Sequence, residues 1–130
     1  MEAKKTALIV TDGQVSVQKL ADSIASALED FAVSVVPAGA FKGTHILGAG
    51  LVFFGAEQAN PPTFNYLHKV LRHINLVGRP CGVFSPASGE AVEYLINMVK
   101  DSELTLYGDA FSGGGDITGW ARKVAVQFKS

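Results

Sequence analysis

The sequence predicts a doubly wound α/β domain with a five-stranded parallel sheet in the order 2-1-3-4-5 and helices on both faces. Short apolar runs alternate with segments of helical periodicity, and parallel strands need such helical crossovers. The first and third apolar runs are the most continuous, as expected for central strands that are covered on both faces. The 130 residues, 48% hydrophobic and 18% charged, predict a single domain over residues 1–130.

The first unit, residues 6–28, pairs a strand with the helix that follows it. Residues 7–10 form the apolar run and residues 11–16 a polar loop. The apolar helical positions are Val17, Leu20, Ala21, Ile24 and Leu28. We expect the Ser16 hydroxyl to cap this helix. Because the amides and the positive dipole end of such a helix attract anions, the loop predicts one wall of a binding site.

The middle of the chain predicts two strands and one long helix. These are a strand at residues 31–36, a helical turn at 44–47, a strand at 51–54 and a helix at about 63–74. Pro37 ends the first of these strands, because proline cannot donate to a sheet ladder.

The last third of the chain predicts two more strands and two helices. The strands lie at residues 81–85 and 104–107, the second of them at a sheet edge. The first helix, with Ser88 as its cap, places Val92, Leu95, Ile96 and Val99 inward. The second helix, capped by Asp116, places Ile117, Trp120, Ala121, Val124 and Phe128 inward. We expect the glycines at 113–115 to form a flexible connection.

Three loops are expected to meet at the carboxyl edge of this sheet. They are residues 11–16, 55–62 and 85–89. In a sheet of this order the chain reverses direction between strands 1 and 3, and ligands bind in the crevice that the reversal leaves.

Four segments resemble those of short-chain flavodoxins in order and spacing, over nearly the whole chain. They are TALIVTDGQVSVQKLADSIASAL, LVFFGAEQANPP, GRPCGVFSPASGEAVEYL and DITGWARKV. The most specific piece is ITGWA, with Trp120. The resemblance implies a flavodoxin-like fold that binds flavin mononucleotide (FMN) for single-electron transfer, with a redox partner protein. It places the phosphate on the first loop and the isoalloxazine ring between the second and third.

The cofactor-binding residues that the resemblance implies come from all three loops. They are Thr11, Asp12, Gly13, Gln14 and Ser16; Gly55, Ala56, Glu57 and Asn60; and Ser85, Pro86, Ala87, Ser88 and Gly89. The loops depart from the family pattern, because Asp12 puts a negative charge at the phosphate position and Val17 replaces a hydroxyl. The ring loops also lack the aromatic side chain that stacks on a flavin. The predicted function is therefore an FMN-binding redox protein with an eroded flavin site.

A second hypothesis is a flavin-free module, in which the fold is a scaffold for protein contacts or for another small anion. A phosphoacceptor receiver domain is disfavoured because Asp12 stands alone after strand 1 and Tyr107-Gly108, rather than a lysine, follow strand 5. Neither a nucleophile elbow nor a partnered acid–base pair is visible. An electron carrier or a binding module is therefore favoured over an enzyme.

The composition indicates which partners and which cellular compartment to expect. A formal charge of -1 without Lys/Arg clusters predicts no nucleic-acid partner. No apolar run approaches the roughly 18 residues of a membrane span and no basic leader is visible, so we expect a cytosolic protein without a membrane partner. Cys81, the only cysteine, excludes an internal disulfide and is expected to be a small core residue. The three histidines have no metal-binding spacing.

Overall fold

A computed structural model describes residues 5–87, 89–113 and 115–127. The strands in these ranges are β1 (Lys5–Thr11), β2 (Phe31–Pro37), β3 (Leu51–Gly55), β4 (Pro80–Ser85), β5 (Thr105–Leu106) and β6 (Phe111–Ser112). The α-helices are α1 (Val15–Ala27), α2 (Gly43–Leu47), α3 (Phe64–His73), α4 (Gly89–Lys100) and α5 (Ile117–Ala125). The helical turn predicted at 44–47 is α2, and a 3-10 turn at Ala38–Ala40 precedes it.

The sheet has the predicted order, β2-β1-β3-β4-β5, and all of its pairings are parallel. Thr11 is in register with Gly55, and Gly55 is in register with Phe84. The carboxyl ends of the three central strands therefore lie at one level, and the loops that follow them start side by side.

Helices cover both faces of the sheet, as predicted. On one face α1 and α5 pack against Ile9 and Phe53, and on the other α2, α3 and α4 pack against Val10 and Phe54. Every residue of β3 is buried, whereas β2 is partly exposed. The continuous apolar runs are therefore the central strands, and the prediction from their composition is confirmed.

Cys81 is fully buried in the core on the α3 side. Burial raises the pKa of its thiol well above the ordinary range, because the charged thiolate would be desolvated. The prediction of a small core residue is confirmed.

The start of α1 differs from the prediction. The helix begins at Val15 with Gln14 at its N-cap position, and Ser16 makes no capping bond. The Asp12 carboxylate accepts a hydrogen bond from the Gln14 amide at 3.0 Å, a side-chain turn that brings the backbone into the helix before Ser16. The prediction that Ser16 caps the helix is therefore wrong.

The inward stripe of α4 is rotated from the predicted one. Leu95 and Val99 are buried as expected, but Val92 and Ile96 are only half-buried, and Ala91 and Met98 are buried instead. Val92 and Ile96 have branched apolar side chains, so the sequence pattern predicts that their flank of the helix faces inward. The predicted cap Ser88 and the predicted core residue Phe128 lie outside the described residues.

The fifth strand is split. Residues 104–107 were expected to form it, but only Thr105–Leu106 pair with the start of β4, and Phe111–Ser112 pair with its end as β6. The Trp120 indole N–H donates to the carbonyl oxygen of Asp109 at 2.6 Å, which holds the intervening loop against α5. The Gly113 amide continues the ladder by donating to the Ser85 carbonyl at 3.0 Å.

Arg79 holds the end of α2 to the start of β4. Its Nη1 atom donates to the carbonyl oxygens of Ile46, Leu47 and Ala49 at 2.9, 3.0 and 2.9 Å. Carbonyls at a helix end lack intrahelical donors, so this guanidinium satisfies them. No helix in the described ranges is long and apolar enough to cross a membrane.

Asp116 caps α5, as predicted. Its carboxylate accepts hydrogen bonds from the Thr118 hydroxyl at 2.5 Å and the Gly119 amide at 3.1 Å. These two bonds lower the pKa of the Asp116 carboxyl below its ordinary value of 3.8, because they favour the charged form.

We expect Asp116→Ala to lower the Tm at neutral pH and the difference from wild type to shrink as the pH falls below 3.8. The folded-state pKa is lowered, so the stabilisation is present above the unfolded-state pKa and is lost as the carboxylate is protonated. Thermal unfolding at neutral pH and in acid measures both differences. An equal decrease in Tm at both pH values would contradict the assignment.

Candidate functional site

The carboxyl edge of the sheet brings the first and second loops face to face. Between them lies a cleft of about 300 Å³, lined by Asp12, Gln14, Glu57, Gln58, Ala59, Asn60, Pro61, Pro62 and Thr63. Four of the sequence-predicted site residues, Asp12, Gln14, Glu57 and Asn60, thus share one cavity. None of the described residues in the loop that starts at Ser85 lines it.

Two hydroxyl groups of the predicted site form hydrogen bonds within their own loops. Thr11 and Ser85 are fully buried. The Thr11 Oγ1 atom accepts a bond from the Gly13 amide at 3.3 Å, and the Ser85 Oγ atom accepts one from the Ala87 amide at 3.2 Å. Both hydroxyls therefore stabilise the turns after their strands.

Asp12 connects the first loop to the second. One carboxylate oxygen accepts from the Gln14 amide at 3.0 Å, and the other accepts from the Glu57 amide at 2.8 Å. Hydrogen bonds from backbone amides to a carboxylate are stronger than those between neutral groups. Asp12 thereby occupies one backbone amide of each loop.

A second contact joins the same loops. The Ser16 hydroxyl donates to the Glu57 carboxylate. We call Asp12, Ser16 and Glu57 the loop bridge. Among the residues that the structure describes, no Lys or Arg lines the cleft beside it, so its two carboxylates make the cleft acidic.

The first turn of α1 keeps free donors beside the loop bridge. Within residues 5–87, 89–113 and 115–127, the amides of Val15, Ser16 and Val17 have no hydrogen-bond acceptor. Such amides at a helix N-terminus, with the positive end of the dipole, attract anions. Sequence reasoning missed Val15, because the early helix start depends on the Asp12 side chain.

Gly55 is covered by an aromatic ring at the end of β3. A Cβ atom at Gly55 would lie 2.3 Å from Cζ of Phe84 on the neighbouring strand. Glycine is therefore required for the packing of the sheet at this position. Two other backbone conformations shape the loops, since Gly13 has φ 87° and Asn60 has φ 54°.

The aromatic and histidine side chains of α3 are structural or lie at the surface. Phe64, the first residue of α3, is buried. The exposed Tyr66 ring contacts Phe41, with the two ring centroids 6.2 Å apart. The His68 Nε2 atom lies 2.8 Å from an Asp101 carboxylate oxygen. In the described part of the chain, no three His, Cys, Asp or Glu side chains are grouped to bind a metal ion.

The similarity of this chain to known proteins lies in its fold. No family model matches the chain, and no curated protein sequence matches it. Oxidised flavodoxin 2 from Bacillus cereus superposes with a TM-score of 0.82 at 19% identity, over 97% of this chain and 100% of that one. A short-chain flavodoxin associated with a non-canonical PDU bacterial microcompartment gives 0.78 at 15% identity, over 95% and 96%.

A third solved structure contains the cofactor that the sequence resemblance implied. It is a mutant flavodoxin from Fusobacterium nucleatum bound to flavin mononucleotide, with a TM-score of 0.75 and 13% identity over 97% of this chain and 98% of that one. The likeness spans nearly the full length of each of these proteins. This chain therefore has the flavodoxin-like α/β fold, with the sheet order β2-β1-β3-β4-β5.

Proposed function

We propose that this protein binds FMN in the cleft at the carboxyl edge and acts as a one-electron carrier for a partner protein. The observation that carries the proposal is the open first turn of α1, where three amides that have no acceptor among the described residues lie beside the cleft of a flavodoxin-like fold. The FMN-bound flavodoxin with the same fold supports the choice of ligand.

The described residues offer more contacts to the phosphate of FMN than to its isoalloxazine ring. The amides of Val15, Ser16 and Val17 fit a phosphate, whereas those of Gly13 and Gln14 already donate to protein oxygens. The backbones of residues 55–60 and 85–89 would border the ring, without an aromatic partner among their described residues. FMN supplies the one-electron chemistry when bound, and the chain's part is to hold the flavin and limit its contact with water.

The loop bridge opposes a phosphate. Two like charges about 4 Å apart repel by about 4 kcal/mol at an effective dielectric constant of about 20. Asp12 and Glu57 each place one such charge at the rim of the cleft. We therefore expect weak FMN binding by the wild-type chain, with exchange of the flavin rather than permanent retention.

We expect Asp12→Asn to raise the affinity for FMN by at least about tenfold, because it removes one charge and keeps an oxygen that can accept a hydrogen bond from one of the two amides. Titration followed by flavin fluorescence measures the Kd. Glu29→Gln is the matched control, since it removes an exposed carboxylate at the far end of α1. Equal gains in both variants would show that only net charge matters, and no gain would place the phosphate away from the loop bridge.

The proposal itself is tested by thermal unfolding with and without FMN. A ligand that binds only the folded state stabilises it by about 2.7 kcal/mol at about 100 times its Kd. We expect the Tm to increase with FMN concentration. Equal melting temperatures at all FMN concentrations would reject FMN binding.

A flavin-free module is the second candidate function. The observation that favours it is the loop bridge, which satisfies donors of both loops without any ligand. In that case the cleft edge would serve protein contacts or a different small anion. The same titration decides, because such a module would not respond to FMN. A cytosolic setting and a redox partner protein remain predictions.

A further inference from the structure

Two adjacent hollows on α2 and α3 have no role in the proposed flavin site. The first, about 400 Å³, is lined by Gly43, Tyr66, Lys69, Val70, His73 and Ile74. The second, about 290 Å³, is lined by Asn65, His68, Lys69 and Arg72. Lys69 lies between them and contributes to both. We call the surface formed by these two hollows the α3 face.

The first hollow is an apolar groove with an aromatic rim. Val70 and Ile74 are half-buried at its base. The missing side chain of Gly43 keeps it open, since a Cβ atom there would lie 3.7 Å from Cδ1 of Ile74. Tyr66 is 52% exposed beside it. An exposed tyrosine next to an apolar groove is typical of protein interfaces, where its ring packs and its hydroxyl stays hydrated.

The second hollow and its surroundings are basic. Between residues 38 and 79 the sequence has four Lys or Arg, all three histidines and a single acidic residue, Glu57. Glu57 lines the flavin cleft, and no acidic side chain of the described residues lines either hollow. An Asp101 carboxylate oxygen lies 2.8 Å from Nε2 of His68, which lines the second hollow. Lys69 and Arg72 therefore give the α3 face positive charge, and no carboxylate of the described residues lines it.

We propose that the α3 face binds a partner protein through an acidic segment that carries one apolar side chain. The carboxylates of the segment would pair with Lys69 and Arg72, and its apolar side chain would enter the groove beside Tyr66. α3 begins one residue after Thr63, which lines the cleft, so a partner bound here contacts the helix that leads away from the proposed flavin site. The proposal rests on charge and exposure at α3, and it does not require that FMN binds.

A synthetic peptide tests the proposal on the full chain. The probe is a fluorescein-labelled peptide of about twelve residues with about four glutamates around one phenylalanine, a composition that matches the charge and the groove. Fluorescence anisotropy gives the Kd, and amide chemical shifts in NMR spectra locate the site. We expect shifts on α2 and α3, and weaker binding of a peptide in which serine replaces phenylalanine.

Variants of exposed residues make the test specific. We expect the double variant Lys69→Glu, Arg72→Glu to weaken binding by at least about tenfold, because two attractive pairs become repulsive. Tyr66→Ser should weaken it several-fold through the groove alone. Lys19→Glu, a charge reversal at an exposed position on α1 across the sheet, should change it by less than about twofold. Far-UV circular dichroism confirms that each variant is folded.

Six results would overturn the proposal, and the first four come from the peptide-binding experiments. They are no binding of the peptide, shifts confined to another surface, an equal effect of Lys19→Glu, and competition by an oligonucleotide as effective as that by the unlabelled peptide. A fifth is a dimer of the chain that Lys69→Glu dissociates in sedimentation experiments, which would make a second copy the occupant of the α3 face. Retained peptide affinity in the double variant would likewise exclude Lys69 and Arg72 as the contacts.

Discussion

Replacing Gly55 by alanine is expected to destabilise the fold by about 2–3 kcal/mol, the upper part of the range for overpacked cores. The new Cβ atom would lie 2.3, 2.4 and 2.8 Å from three carbon atoms of the Phe84 ring. That ring is fully buried and packs edge-on against Trp120, with centroids 6.3 Å apart. It cannot move away without disturbing the core between the sheet and α5.

The Gly55 prediction is tested by urea denaturation with a matched control and a double-mutant cycle. Gly89→Ala, at the start of α4, adds the same methyl group where no neighbour lies within 4 Å of the new atom, so its effect should be small. In a Phe84→Leu background, Gly55→Ala should cost clearly less than in wild type, because the clashing ring is absent. Additive costs would show that the ring is not the cause.

The fold was predictable because its strongest signals are local. The apolar runs that became β1 and β3 identify the central strands by composition alone, and helical periodicity identifies α1, α3 and α5. β6 was missed because two residues, Phe111 and Ser112, carry no periodicity. The Trp120 indole holds the preceding loop by a bond to the Asp109 carbonyl, a contact between residues that no local pattern connects.

The site was predictable in position but not in its contacts. Register between β1, β3 and β4 brings Asp12 and Glu57 to one edge, as expected for this topology. The bond from Ser16 to Glu57 joins residues 41 positions apart, and helix-capping rules consider only neighbours in sequence. Those rules therefore assigned Ser16 to a cap, while the side chain of Asp12 set the start of the helix.

Trp120 lies at the centre of the core on the α5 side. It is 9% exposed, and its ring centroid lies 5.7, 6.3 and 5.9 Å from those of Phe53, Phe84 and Phe111. Its indole also donates to the Asp109 carbonyl. We expect Trp120→Ala to destabilise the fold by about 3–5 kcal/mol, through lost burial and the cavity left behind. Because this is the only tryptophan, unfolding must be followed by far-UV circular dichroism.

A second substitution separates the two contributions of Trp120. Trp120→Phe keeps much of the ring packing but removes the N–H donor, and the loss of that bond should cost about 1 kcal/mol. The cost should appear mainly as increased hydrogen exchange at the Gly113 amide, because the loop before β6 loses its attachment to α5. Tyr66→Ala, the removal of an exposed aromatic side chain, is the control for stability. If Trp120→Ala lowers the free energy of unfolding no more than Tyr66→Ala does, the ring contacts of Trp120 contribute little to stability. The attachment of β6 to the sheet must then depend on its own ladder bonds.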